Sequence, residues 1–185
     1  MDEVLLGRHV DASLDERGMK QAAVLANRLA RGAIEPLIYA SPRRRARETA
    51  AAIATRSGGD VRVCPALDEI DFGRWSGRTF VELNADPEWR SWNANRSRAS
   101  TPAGETISSA QRRVVALLHA IDAVRPPRAV VMVTHSEIIR SLLFYGLEIS
   151  PNRHDRLTID PASTTTIELD EKQFRAITVN ERLAS

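Results

Sequence analysis

The chain has 185 residues, 43% hydrophobic and 27% charged, which fits one domain with a sizeable core. Its 26 basic and 24 acidic residues leave a formal charge of +2. This argues against nucleic acid as a partner despite an isoelectric point near 9.1. Cys64 is the only cysteine, which excludes an internal disulfide and any zinc spacing. No basic-then-apolar opening and no apolar run near 18 residues occur, so the expectation is a soluble, cytoplasmic protein with no membrane partner.

In chain order, Val4–Leu6 reads as a buried strand ending in Arg8-His9. Ser13-Leu14-Asp15-Glu16 has the form of a capping box. Behind it Met19, Ala22, Ala23, Ala26, Leu29 and Ala30 recur at helical spacing up to Arg31-Gly32. Leu37–Ala40 is a second strand. Ser41 is placed to cap the next helix, with Pro42 in its first turn and Ala46, Thr49, Ala50 and Ile53 on its inner face. Val61–Cys64 is a third, short strand, and residues 67–77 are irregular.

The stretch 79–104 is polar and reads as a small helical insertion or cap. Trp75, Trp89 and Trp92 are expected to pack, with a lid formed by Trp89 and Trp92 as the alternative. A long helix follows from about Ser108 to Val124, then the strand Val130–Thr134. Ile138, Ile139, Leu142 and Leu143 mark one side of a helix ending near Gly146. Thr164–Leu169 and Phe174–Val179 read as a hairpin joined by Asp170–Gln173. Strands alternating with helices predict an α/β fold, a mostly parallel sheet with helices on both faces and at least one antiparallel strand. In such sheets ligands bind beyond the carboxyl ends of the strands, where Arg8-His9, Arg43–Arg47 and His135 all fall.

Several of these residues suit phosphate chemistry. A neutral imidazole at His9 can attack phosphorus and split one displacement into two easier steps. Arg8 beside it, following a buried strand, needs an anionic partner. Arg43, Arg44, Arg45 and Arg47 crowd the positive end of a helix dipole, which disfavours cations unless an anion offsets them. Arg45, beside the apolar face, should point to the site, where its planar fork grips phosphate oxygens. His135 lies between a strand and a helix N-terminus, a natural anion site. Glu69, between Leu67 and Ile70, suits a buried general acid. Glu105 reads as a helix-start carboxylate.

Together these segments resemble the histidine phosphatase superfamily, the phosphoglycerate-mutase-like proteins. Arg8-His9-Val10 resembles the family's Arg-His-Gly, and Leu14 to Ala22 resembles its Leu-Thr-x-x-Gly-x-x-Gln-Ala. Ser41 to Ala50 matches Ser-Pro-x-x-Arg-Ala-x-x-Thr-Ala, and Leu67 to Trp75 matches Leu-x-Glu-x-x-Phe-Gly-x-Trp. Gly104-Glu105-Thr106 is similar to Gly-Glu-Ser, Thr134-His135-Ser136 to Ser-His-Gly, and Val179-Asn180-Glu181 to the family's closing strand. The resemblance implies a three-layer α/β/α sandwich. It also implies a phosphohistidine at His9, a phosphoryl group held by Arg8, Arg45 and His135, and Glu69 as proton donor. Val10 and Ser136 depart from family glycines, and the short loop 10–13 lacks the family's phosphate-contacting Asn. Ser13 and Ser136 are the groups placed to supply the missing contacts.

The expectation is therefore a phosphomonoesterase of the phosphatase branch, acting without metal or cofactor on a small-molecule phosphomonoester. A phosphoglycerate-mutase-type transferase and a degraded, non-catalytic phospho-ligand binder stay open, as does a homodimer.

Overall fold

The computed structural model describes residues 4–32, 35–170 and 173–182. Helix α1 (Glu16–Gly32) leads to strand β1 (Leu37–Ala40), helix α2 (Arg44–Ser57) and strand β2 (Val61–Val63). Helices α3 (Phe80–Ala85) and α4 (Pro87–Ala94) follow, then α5 (Ile107–Val124), strand β3 (Val130–Val133) and α6 (Ser136–Gly146). Strands β4 (Thr164–Asp170) and β5 (Gln173–Glu181) close the chain. Part of the turn expected between them lies outside the described residues. No described helix is long and apolar enough to cross a membrane.

The fold is α/β, as expected. The sheet order is β2-β1-β3, all parallel, and β4 pairs antiparallel with β5. Alternate residues divide the strands between two cores, because successive side chains point to opposite faces. Ile38, Ala40, Val131 and Val133 pack with Leu25, Ala26 and Ile53 of α1 and α2. Tyr39 and Met132 face the other core, with Val114 and Leu118 of α5 and Ile138 and Leu142 of α6. Helices therefore cover both faces.

Two local expectations are corrected. Val4–Leu6 does not join the sheet. Leu5 donates its N–H to the Arg78 carbonyl at 2.9 Å and accepts from the Gly77 N–H at 2.7 Å, and Val4 makes one antiparallel bridge to Thr79. Gly7, at φ +56°, then reverses the chain, and a Cβ there would meet Ser76 Oγ at 2.6 Å. Arg8-His9 thus sits on a turn. Nor does Ser13 cap α1. Its hydroxyl donates to Glu48 at 2.8 and 3.0 Å, and Asp15 caps the helix by accepting from the Gly18 N–H at 2.7 Å.

The tryptophans pack. Trp75, Trp89 and Trp92 are buried and meet Phe72 and one another at centroid distances of 5.1–6.4 Å. This cluster ties α4 to the loop that carries Glu69. Trp92→Ala is expected to cost about 3–5 kcal/mol, read as a lower urea midpoint at unchanged slope.

Candidate active site

Strands β1 and β3 end level, with Ala40 opposite Val133. That register places Ser41 beside His135. Cys64 donates its N–H to the Ala40 carbonyl at 2.8 Å, and the Thr134 hydroxyl donates to the Leu67 carbonyl at 2.7 Å. The segment around Glu69 is thereby brought to the same sheet edge.

Arg45, Glu69, His135 and Ser136 line one cavity of about 890 Å³ between β3 and β4. Arg45 Nη2 lies 3.1 Å from His135 Nδ1, and Glu69 Oε2 lies 3.9 Å from the same nitrogen. Arginine only donates, so Nδ1 accepts. Nε2 then carries the proton and donates to Ser41 Oγ at 2.7 Å. Burial, followed by the charges of Arg45 and Arg43, pushes His135 down to about 3, so it is neutral at working pH. Burial also lowers the Arg45 pKa. Arg45 Nη1 is buried without a hydrogen-bond partner in the protein. An unmade bond at a buried charged donor is costly, and an anionic oxygen would remove that cost.

Glu69 is buried beside the fully buried Leu67 and Ile70. Burial, then the charge of Glu137, pushes its carboxyl up to about 7, against the Ile70 N–H, Arg45 and Arg113. Its backbone is fixed from below. The Glu69 carbonyl accepts from Arg8 Nε at 2.5 Å and from Arg113 Nη2 at 3.1 Å. Glu105 holds both arginines, Arg8 at 2.7 Å and Arg113 at 3.0 Å. The carboxylate read as a helix start thus anchors the floor of the site. Arg113 was not singled out from sequence, although an arginine beside the buried positions Ala110 and Val114 of α5 was its signal.

The remaining candidates lie around this group. Arg8 is engaged by Glu105 and stands 3.6 Å from Asp68. His9 is 61% exposed and pairs with Asp71 at 3.2 Å, outside the cavity lining. The backbone leading to it nevertheless touches the cluster. The Gly7 carbonyl accepts from Arg45 at 3.1 Å, and the Arg8 carbonyl accepts from Arg43 at 2.7 Å. In the short loop Asp11 accepts from the Arg44 N–H at 2.7 Å, and Glu48 accepts from the Leu14 N–H at 2.7 Å. The expected offset to the crowded cations at the start of α2 therefore comes partly from Asp11. Ser41, expected to cap α2, accepts from the Arg43 N–H, which precedes the helix, as well as from His135. The helix starts two residues later, with Arg43 at the cap position. Val10 and Ser136 are absent from the positive-φ residues, so neither strains for want of a glycine.

The histidine phosphatase superfamily (branch 1) family model matches residues 2–182. The chain belongs to this superfamily. Phosphoserine phosphatase 1 of Hydrogenobacter thermophilus is 30% identical over 173 residues, covering 92% of this chain and 82% of that protein. Among solved histidine phosphatase folds, a mycobacterial glucosyl-3-phosphoglycerate phosphatase with VO3 superposes with a TM-score of 0.86 at 27% identity, covering 96% of this chain and 90% of that one. A phosphoserine phosphatase mutant of Entamoeba histolytica, in complex with phosphoserine, gives 0.83 at 25% identity, covering 95% and 87%.

Proposed function

We propose that the protein is a cytoplasmic phosphomonoesterase that hydrolyses small-molecule phosphate esters through a phosphohistidine on His9. Its superfamily membership and its relatives, named as phosphatases of phosphoserine and glucosyl-3-phosphoglycerate, support this reading. The observation that carries it is the unspent, buried Arg45 donor beside a neutral His135 and a carboxyl held near 7. Such a group accepts a phosphate and delivers a proton.

In this reading the phosphoryl oxygens take the Arg45 fork, freeing the Gly7 carbonyl. A dianion beside His135 Nδ1 favours a proton there, and the Ser41 hydroxyl can then donate to Nε2. Ser136, at the first turn of α6, adds the positive end of that helix. His9 turns from Asp71 about its side-chain bonds and attacks phosphorus. The ester oxygen leaves with the Glu69 proton. Water then attacks the phosphohistidine, Glu69 takes a proton from it, and phosphate departs with His9 restored. Residues 79–104 form the cap that selects the alcohol.

The test is turnover of phosphoserine, sugar phosphates and nitrophenyl phosphate in excess chelator. Turnover of at least one ester is expected, and none with any ester would refute the reading. Arg45→Lys keeps the charge and loses the fork. It should weaken competitive inhibition by inorganic phosphate by about 10- to 100-fold, and an unchanged inhibition constant would place phosphate elsewhere.

A further inference from the structure

Glu137 lies two residues past His135 in the first turn of α6 and has no part in the chemistry above. Its carboxylate is nonetheless mostly buried, at 12% exposed. Oε2 binds Arg96 Nη1 at 2.7 Å, and Oε1 binds Arg140 Nη1 at 2.6 Å. Arg96 follows α4 and is itself 7% exposed. Its guanidinium lies 4.2 Å over the Trp92 ring and grips Asn93 Oδ1 at 2.7 Å. Arg140 donates to the Leu157 carbonyl at 2.9 Å and lines the same cavity as Glu69. One carboxylate thus joins the cap, the helix that follows His135, and the 151–157 segment.

We propose that Glu137 is a positioning residue, which seats the cap on α6 and keeps Glu69 in its proton-carrying form. This rests on Glu69 being the proton donor. A buried negative charge near a carboxyl disfavours its ionisation. Glu137 is the largest charge acting in that direction on Glu69, opposed by Arg45 of α2 and Arg113 of α5. The other groups around Glu69 are largely committed: Asp68 is shared by Arg8 and Arg43, Glu105 by Arg8 and Arg113, and His135 is neutral. Around Glu137 the facing groups are Arg96, Arg140 and His154, the last lowered first by burial and then by Arg96. Arg96 and Arg140 each hold one oxygen of Glu137, which fixes the carboxylate in place at the start of α6.

The experiment measures kcat/KM against pH for an alkyl phosphate and for nitrophenyl phosphate. In Glu137→Gln the alkaline limb for the alkyl ester should move to lower pH by about one pH unit, a loss of about fivefold at pH 7. The nitrophenyl ester should respond much less. Arg96→Met removes a cation instead, so its limb should move to higher pH. A folded Glu137→Gln with an unmoved limb overturns the proposal. So does movement of both limbs in one direction, which is the mark of a loosened cap alone. If Glu137→Gln does not fold, the Arg96→Met limb decides, upward in support and unmoved against. Glu69→Gln serves as the control. A limb that persists in it defeats the donor reading of Glu69, which is a separate failure.

Discussion

His9→Ala is expected to reduce phosphomonoester turnover by about 10⁴-fold or more, whatever the leaving group. The imidazole is the only group in the account that bonds to phosphorus, and removing it leaves water as nucleophile. Its side chain is 61% exposed with one partner, Asp71 at 3.2 Å. Truncation therefore removes no core contact, and circular dichroism and the thermal midpoint should match the parent. Phosphate should still bind, because Arg45 and His135 remain. The check is kcat on nitrophenyl phosphate beside the inhibition constant for phosphate. Turnover within tenfold of the parent would remove His9 from the chemistry.

Glu69→Gln should separate leaving groups. An alkyl alcohol departs as an alkoxide unless it is protonated, whereas nitrophenolate leaves without help. Glutamine keeps the shape of the buried side chain and cannot deliver a proton. Single-turnover phosphorylation should slow by about 10²–10⁴-fold with alkyl phosphates and far less with nitrophenyl phosphate. The pH dependence has a defined sign. The Glu69 carboxyl, pushed up to about 7 by burial and Glu137, is protonated below that value and ionised above it. The parent rate on alkyl esters should fall about tenfold per pH unit well above pH 7. Equal slowing of both esters would leave Glu69 a structural carboxylate.

Much of this was legible in the chain. Leu37–Ala40 and Val130–Val133 carry short apolar runs with turn signals on either side, and their alternation survives in which core each side chain enters. Arg45 and His135 were readable because both follow such strands directly, and β1 and β3 end in register. Glu69 was readable from its apolar neighbours, which became its desolvating walls. The partner of Val4–Leu6 was not. A short apolar segment carries no record of which edge it pairs with, and here it pairs with residues 77–79. Ser13 matched a capping box locally, yet Glu48, 35 residues away, claims its hydroxyl. Arg113, Asp71 and Glu137 act through tertiary contacts, and their positions on helix or loop looked like ordinary solvated charge.

The central claim is the covalent bond at His9, and trapping it is the most direct measurement. Enzyme mixed with phosphate-labelled substrate and quenched without acid within a turnover should carry label on the peptide containing His9. That label should be stable in base and lost in acid, as expected of a phosphoramidate. It should build up further in Glu69→Gln with nitrophenyl phosphate, where formation outlasts the loss of base-assisted hydrolysis, and be absent in His9→Ala. Turnover of the parent with no label on His9 in either protein would contradict the account.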